Sequence, residues 1–171
     1  DLNDCKAQIT DFVSCMEADN STMKTLKRHF KSSSSPKPQS VVPFSSAYKY
    51  SAVAFSEDST YVLGAPEFVL REDYEEYEEC ITGYSAKGYR VLIFGNYKED
   101  PKGEALSKEF APLCLILLSN KIRAEAPETF RYFAEQGVAI KVISGDNPVT
   151  VSEVAATAGI QHAARSVDAR T

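Results

Sequence analysis

Two stripes of apolar residues at helical spacing open the chain. Residues three and four positions apart fall on one face of a helix, so each stripe predicts an amphipathic helix that packs on a core. The first stripe comprises Ile9, Phe12, Val13 and Met16, and the second comprises Met23, Leu26 and Phe30. The segment 32–38, which is rich in Ser and Pro, follows and predicts an irregular loop.

Alternating apolar and polar positions replace the helical spacing after this loop. Three segments have the β-branched and aromatic composition of strands, namely 41–44, 48–55 and 60–63. The polar residues between the last two predict a turn, and therefore an antiparallel hairpin. An acidic helix is predicted from Arg71 to Lys87, and a further strand from Gly88 to Phe94.

The last third of the chain alternates strand and helix. Leu113 to Leu118 is a continuous apolar run that predicts a strand, and Pro127 begins a helix that ends at Gly137. Val138 to Ile143 has the β-branched composition of a buried parallel strand. Together these segments predict a right-handed βαβ unit, with Asp146 at the carboxyl end of its second strand. In an open α/β sheet, ligands bind outside the carboxyl ends of the strands.

The composition is that of a globular protein with one core or two small ones. The chain has 171 residues, of which 43% are hydrophobic and 25% charged, and its formal net charge is −5. This charge argues weakly against nucleic acid as a partner, because phosphate backbones attract basic surfaces. No apolar run approaches the roughly 20 residues that span a bilayer. Four scattered cysteines without a CxxC pair favour reduced thiols over disulfides or zinc.

The stretch from Ser144 to Pro148 carries the most specific motif. Its sequence is Ser-Gly-Asp-Asn-Pro, and a helix of small and apolar residues follows it up to Gly159. It resembles the Thr-Gly-Asp-Asn segment of the P-type cation-transporting ATPases, which lies in a phosphorylation domain with a haloacid-dehalogenase-like fold. The resemblance implies that Ser144, Gly145 and Asp146 support catalysis. Asp146 would stabilise the closed arrangement of two domains around the nucleotide.

Four further segments are similar to motifs of the same family, in the same order along the chain. They are Pro43-Phe-Ser-Ser-Ala-Tyr-Lys-Tyr-Ser51, Leu63-Gly-Ala-Pro-Glu67, Gly88-Tyr-Arg-Val-Leu-Ile-Phe94 and the stretch 119–126. In the last of these, Arg123 matches an arginine of the family and is a further supporting residue. An aromatic face for stacking, a cation for phosphate and a glycine that lets the backbone approach a ring suit a purine nucleotide.

Five residues would bind ATP if the resemblance holds in detail. Phe44 is implied to lie under the adenine ring, Lys49 near the adenine or the phosphates, and Arg90 at the phosphates. Gly64 and Ala65 would line the floor of the pocket. The alternative interpretation is a core phenylalanine, a surface lysine, a strand-ending turn and an arginine paired with the acidic helix.

Three positions depart from the family's motifs. Leu63 replaces a lysine, Ser46 stands where many members have an arginine, and Asn120 replaces an aspartate. Because charge-assisted contacts with phosphate are stronger than neutral ones, we expect weak ATP binding. The substitution Leu63→Lys is expected to tighten it without disturbing the fold.

The resemblance also implies a fold class and a domain organisation. We expect an α+β fold, with an antiparallel sheet flanked by helices, followed by a partial α/β, haloacid-dehalogenase-like βαβ segment. Residues 1–112 would form a nucleotide-binding domain and residues 113–171 part of a phosphorylation domain. The family's phosphorylated aspartate lies in an Asp-Lys-Thr-Gly-Thr segment, which this sequence lacks. We therefore expect the chain by itself to be inactive and to hold no metal.

The implied function is that of the cytosolic ATP-binding segment of an integral membrane pump. ATP hydrolysis would drive cation transport through an aspartyl-phosphate outside this chain, with Mg²⁺ as cofactor of the intact pump. The partners would be the rest of the phosphorylation domain and the actuator and transmembrane domains, and the first choice of cargo is calcium, with magnesium-type pumps next. Two alternatives stay open: a haloacid-dehalogenase-like phosphatase of a small metabolite, and an interaction module that binds no nucleotide.

Overall fold

The chain divides into two compact units. The structure, a computed structural model, describes residues 2–31, 36–56, 59–107, 109–119, 122–146, 148–165 and 167. The first unit comprises Asp1–Tyr74 and Leu92–Ile116, and the second comprises Glu75–Val91 and Leu117–Thr171. Residues 32–35 of the predicted loop, Asn120 and Asn147 lie outside the described residues. The predicted domain boundary between residues 112 and 113 stays a prediction.

Both N-terminal helices form where the apolar stripes predict them. Helix α1 spans Leu2–Cys15 and helix α2 spans Ser21–His29. The side-chain Oδ1 of Asn20 accepts a hydrogen bond from the Met23 backbone N–H at 2.8 Å. This bond satisfies one of the donors that the first turn of a helix leaves without a partner, so Asn20 caps α2.

Five strands form one sheet in the order β1-β2-β3-β4-β5. Their bounds are Ser40–Val42, Tyr50–Ala54, Thr60–Gly64, Tyr89–Tyr97 and Phe110–Ser119. The first three neighbouring pairs are antiparallel, with Val53 opposite Tyr61 and Leu63 opposite Phe94. The predicted antiparallel sheet of an α+β fold is therefore confirmed.

An aromatic cluster joins α1 to one face of this sheet. The Phe12 ring packs edge-on against Phe94 with centroids 5.5 Å apart, and Tyr61 stacks on Phe94 at 5.4 Å. Phe12 and Phe94 have no exposed surface. Burial raises the pKa of the Tyr61 hydroxyl, and the nearby Asp11 carboxylate raises it further. The core of the first unit lies here.

Residues 98–107 cover part of the opposite face of the sheet. The polar sequence from Lys98 to Lys108, with Pro101 and Gly103, instead predicts an exposed excursion between strands. Tyr50 is fully buried, and its hydroxyl donates to the backbone carbonyls of Pro101 and Glu104. Burial raises the pKa of Tyr50 to about 12. Pro101 and Leu106 are buried as well, so the prediction of an exposed segment is wrong at these two positions.

Short helical segments follow the sheet's third strand. Helix α3 spans Pro66–Val69, a single 3₁₀ turn spans Arg71–Asp73, and helix α4 spans Tyr74–Ser85. The predicted acidic helix is thus confirmed, with its first turn in 3₁₀ form. In the second unit, helix α5 spans Ala126–Glu135 and helix α6 spans Pro148–Thr157.

The predicted strand from Val138 to Ile143 is wrong. Residues 138–144 form neither helix nor strand, and Ile143 is 97% exposed. Composition alone favours a strand here, but a strand persists only where a neighbour satisfies its backbone N–H and C=O groups. No described segment pairs with these residues. The predicted βαβ unit is therefore not formed, and the haloacid-dehalogenase-like part of the fold is not confirmed.

Candidate functional site

Phe44 lies at the wall of a groove beside the first strand. It lies two residues after the end of β1, and 45% of its surface is exposed, which is unusual for a large aromatic residue. The groove has a volume of about 450 Å³. Its lining comprises Ser40, Val41, Val42, Pro43, Phe44, Ser45, Asp100, Lys102 and Gly103. An apolar floor with an exposed ring and one cation at its rim can take a flat heterocycle that carries negative charge.

The turn after Phe44 fixes the position of Lys49. Lys49 donates its backbone N–H to the Ser45 carbonyl at 2.7 Å, and Ser45 donates its own to the Tyr50 carbonyl at 3.0 Å. The Ser45 hydroxyl accepts from the Tyr48 backbone N–H at 3.2 Å. Lys49 has a φ of +56°, a left-handed conformation that non-glycine residues adopt rarely. The chain therefore reverses tightly between Phe44 and β2.

Gly64 and Ala65 lie directly against this turn. Ala65 donates its backbone N–H to the Lys49 carbonyl at 2.9 Å, and Gly64 pairs with Tyr50 across the sheet. A methyl group on Gly64 would lie 2.7 Å from the Lys49 carbonyl oxygen and 2.7 Å from a Val69 methyl group. The structure thus brings Lys49, Gly64 and Ala65 together, and Gly64 is required because the backbone of the turn approaches it closely.

Leu63 does not project towards solvent, as the substitution Leu63→Lys would require. It is 4% exposed and lies opposite Ser51 and Phe94 in the sheet. The Ser51 hydroxyl donates to the Leu63 carbonyl at 3.4 Å. Burial disfavours an ammonium group, so lysine at this position is expected to destabilise the fold, contrary to the expectation from the sequence. Ser46, the other departure of the nucleotide segment, is exposed.

Arg90 and Asp146 form an ion pair within the second unit. The Arg90 guanidinium Nη2 donates to Asp146 Oδ1 at 2.6 Å, with 39% and 43% of the two side chains exposed. The Ser144 hydroxyl accepts from the Asp146 backbone N–H at 3.1 Å and so orders the turn. The Thr150 hydroxyl of α6 donates to the Tyr89 carbonyl at 3.3 Å, one residue before Arg90.

Two of the supporting residues have open surroundings. A methyl group on Gly145 would meet no atom within 4 Å, and Arg123 is exposed. The structure therefore joins Ser144 and Asp146 to Arg90. Among the described residues, Arg123 forms no hydrogen bond or ion pair with this group. The pairing of Arg90 with the acidic turn, rather than with an acidic helix, is a contact that sequence reasoning missed.

Asp100 and Lys102 are groove residues that the sequence analysis did not single out. Both belong to the segment that was predicted to be an exposed excursion. The left-handed conformations of Lys102, with φ of +49°, and Gly103, with φ of +77°, turn this segment beside β1. The signal in the sequence is the Asp-Pro-Lys-Gly stretch, which has the composition of a tight turn. Propensity indicates the turn but not the strand that it faces.

A second, smaller groove of about 280 Å³ lies on the first unit. It is lined by Tyr48, Tyr50, Glu67, Phe68, Arg71, Ala105 and Leu106. Phe68 is 41% exposed there. Arg71 donates to the Leu106 carbonyl at 2.8 Å, which holds the far wall of the groove in place. Phe68 therefore provides an exposed phenylalanine outside the first groove, in the same unit as Phe44.

The described residues contain no group of three or more metal-ligating side chains that could hold an ion. Among the same residues, no helix combines the length and apolar character that crossing a bilayer requires.

Comparison with known proteins gives clear relatives, although no family model matches the chain. The chain is 32% identical over 151 residues to the calcium-transporting ATPase CtpE of Mycolicibacterium smegmatis, and this match covers 88% of the chain. It is 34% identical over 151 residues to CtpE of Mycobacterium bovis. It is 33% identical over 153 residues to the probable cation-transporting ATPase exp7 of Streptococcus pneumoniae.

The first unit has an α+β fold, a groove with the exposed ring of Phe44 and a turn that requires Gly64. The relatives of the chain are named as ATPases. The resemblance that the motifs predict is confirmed: this chain is related to the P-type cation-transporting ATPases. The chain spans about 19% of the length of these curated relatives.

Proposed function

We propose that this chain is the ATP-binding segment of a cation-transporting pump, with the adenine ring stacked on Phe44. The observation that carries the proposal is the exposed ring of Phe44 in the groove of about 450 Å³. Base stacking on an aromatic side chain contributes roughly 1–3 kcal/mol and tolerates any purine orientation that keeps the faces parallel. The similarity of the chain to ATPases supports the choice of nucleotide.

The charged side chains at and near the groove favour weak binding of a nucleotide. Lys102 at the rim and Lys49 in the adjoining turn supply two ammonium groups, while Asp100 opposes a polyphosphate from the same lining. Gly64 and Ala65 act indirectly, because they hold the turn that carries Lys49. One opposing carboxylate and the lack of a cation at Leu63 favour weak binding, since phosphate contacts depend on charge.

Arg90 remains a proposed phosphate-binding residue, and Asp146 is the residue that would orient it. The Arg90 guanidinium has several N–H donors, so it can bind a carboxylate and still donate to a second anion. A guanidinium paired with Asp146 is also held in one orientation, which lowers the entropy lost when a phosphate binds.

In the whole pump, we propose that ATP bound here is presented to an aspartate in another segment for in-line phosphoryl transfer. Positioning and charge neutralisation would be the work of the segment described here. Mg²⁺ would neutralise charge on the phosphates when bound in the intact pump. The rest of the phosphorylation domain and the actuator and transmembrane domains would be the partners of this cytosolic segment. Calcium is the cargo favoured by the name of the CtpE relatives.

An ATP titration of the isotope-labelled chain, followed by amide NMR shifts, tests the nucleotide site. We expect the largest shifts at Phe44, Lys49 and Gly64, and a dissociation constant raised roughly 5- to 150-fold in Phe44→Ala, which corresponds to about 1–3 kcal/mol. The matched control is Phe68→Ala, which removes an exposed phenylalanine from the smaller groove. Equal weakening by both variants, or shifts confined to residues 117–171, would contradict the proposal.

Incubation with γ-labelled ATP and Mg²⁺, followed by acid quenching, tests whether the chain reacts by itself. We expect no label that hydroxylamine removes, because the chain lacks the Asp-Lys-Thr-Gly-Thr segment. A stoichiometric, hydroxylamine-labile label would contradict the segment interpretation. Hydrolysis of small phosphate monoesters would favour the phosphatase alternative, and the lack of any shift with ATP would favour the interaction module.

A further inference from the structure

Two of the four cysteines lie side by side in the first unit. Cys5 Sγ donates to Cys114 Sγ, and the two sulfur atoms are 2.8 Å apart. The pair joins residues that are 109 positions apart in sequence, one on α1 and one on β5. A disulfide bond joins its sulfur atoms at about 2.05 Å, so closing this gap requires a shift of less than about 1 Å.

The packing of α1 holds the two thiols in this arrangement. Cys5 lies on the same face of α1 as Ile9 and Phe12, and all three are buried. Phe12 packs on Phe94 of β4, and β5 is the neighbouring strand of β4 in the sheet. The cysteine pair is therefore placed by the hydrophobic core of the unit rather than by a loop.

The other two cysteines have different surroundings. Cys15 donates to the Pro36 carbonyl at 3.4 Å, and Cys80 is exposed on α4. All four are free thiols in the structure. Among them, only Cys5 and Cys114 have their sulfur atoms in contact with each other in the part of the chain that the structure describes.

We propose that Cys5 and Cys114 form a reversible disulfide when the protein meets a small-molecule disulfide such as oxidised glutathione. Cys114, the more exposed of the two thiols, gives up its proton and attacks one sulfur of the oxidant. The oxidant's sulfur–sulfur bond breaks and the first glutathione leaves as a thiol. Cys5 then attacks Cys114 Sγ in the mixed disulfide and releases the second glutathione. The protein loses two electrons and two protons, and both glutathione halves are reduced.

The surroundings make the first step slow and the second fast. Burial, together with the hydrogen bond from Cys5, raises the pKa of the Cys114 thiol to about 12, so little thiolate is present near neutral pH. Once the mixed disulfide exists, the Cys5 sulfur is already beside its target. The bond would tie the first helix to the fifth strand and restrict the unfolded chain, which stabilises the folded unit.

The variant Cys15→Ser/Cys80→Ser, which keeps only the proposed pair, gives the sharpest test. After exposure to oxidised glutathione, denaturation and alkylation, we expect mass spectrometry to show the loss of two hydrogen atoms, no retained glutathione and a linked pair of Cys5 and Cys114 peptides. The matched control adds Cys5→Ser and should stop at a glutathione adduct on Cys114.

A thermal melt provides the second readout and shows that the variants fold. The oxidised two-cysteine variant should melt cooperatively and at a higher temperature than its reduced form, and dithiothreitol should abolish the difference. The control variant, which carries only the glutathione adduct, should show no rise in melting temperature after oxidation. Retention of both thiols in the two-cysteine variant, or glutathione adducts in place of the internal bond, would overturn the proposal.

Discussion

Apolar segments of similar composition are buried as a strand in the first unit and left exposed without a strand in the second. In the first unit the side chain of Phe94 is fully buried, because β4 has a paired neighbour and α1 covers its face. In the second unit the β-branched run 138–143 forms no strand, and Ile143 is 97% exposed. Both segments have a strand-like composition. The difference shows that an apolar run becomes core only where other elements supply backbone partners and a surface to cover it.

The helices of the two units differ in the same way. Helix α2 has a side-chain cap and buries Met23 and Leu26. Helix α5 has no side-chain cap at Glu125 and has no buried residue. Helical stability in proteins comes mainly from packing of an apolar face. The first unit is therefore expected to be the more resistant of the two to unfolding.

Replacing one large aromatic residue in each unit by alanine should show the largest difference in stability between the units. Phe94→Ala should lower the free energy of unfolding by about 3–5 kcal/mol, because the lost contacts with Phe12 and Tyr61 leave a cavity. Phe133→Ala on α5, where 41% of the residue is exposed, should change it by less than about 1 kcal/mol. Urea unfolding followed by circular dichroism measures both. Equal losses would show that the units are equally well packed.

Removal of single hydroxyl groups gives a smaller effect with a distinct pH dependence. Tyr50→Phe should lower the free energy of unfolding by about 1–2 kcal/mol, because the hydrogen bonds to the Pro101 and Glu104 carbonyls are lost. The control is Tyr132→Phe on α5, whose tyrosine is 57% exposed. It should have almost no effect.

The pH dependence follows from the raised pKa of Tyr50. The folded chain keeps this proton up to a pKa of about 12, whereas the unfolded chain releases it at about 10.0. The unfolded state therefore binds fewer protons between these values, and stability falls as the pH rises from 10 to 12. Below that window the contribution is constant. Tyr50→Phe should show a shallower fall than the wild type in urea titrations across this range, and identical slopes would contradict the assignment.

Substitution of the N-cap residue of each helix compares α2 and α5 directly. Asn20→Ala should lower the free energy of unfolding by about 0.5–2 kcal/mol, because the Met23 backbone N–H loses its acceptor. Glu125→Ala should change it by less than about 0.5 kcal/mol, since Glu125 makes no side-chain cap bond. Substitution of Asn20 by Asp, another good capping residue, should restore most of the loss. A larger effect at Glu125 than at Asn20 would reverse the ranking of the two helices.

The sequence predicts most elements of the first unit because its signals are local. Helical spacing marks α1 and α2, alternation marks β2 and β3, and the turn between those strands indicates their antiparallel pairing. What the sequence does not indicate is which side chains each face meets. Leu63 is buried in the sheet, and residues 101–104 cover Tyr50. Both depend on contacts between residues that are distant in sequence.

The sequence likewise predicts the local part of the candidate site but not the part that comes from distant residues. Motifs single out Phe44, Lys49 and Gly64, and the turn that joins the last two is local enough for the structure to bring them together. Lys102 and Asp100 come from a distant turn, so spacing gives no reason to place them beside Phe44. The prediction of a strand at 138–143 is wrong for a related reason, because it too depends on contacts outside the segment. Its composition is right, but pairing depends on a partner that the described residues do not provide.

The smallest expected effect concerns the ion pair of the second unit. A double-mutant cycle with Arg90→Gln and Asp146→Asn, measured by urea unfolding of the amide signals of α6, should give a coupling energy of about 0.2–1 kcal/mol. The bond is short at 2.6 Å, but both side chains are more than a third exposed, so water screens their attraction. The control pair Arg131–Glu135, whose atoms are 4.0 Å apart and more exposed, should couple less strongly. Raising the salt concentration should weaken both couplings, because a shorter Debye length screens exposed charges. A coupling above about 2 kcal/mol that salt does not reduce would mean that solvent is excluded from the Arg90–Asp146 pair. In that case the ion pair at the acidic turn would contribute strongly to the stability of the second unit. The two units would then differ less in stability than their exposed residues indicate.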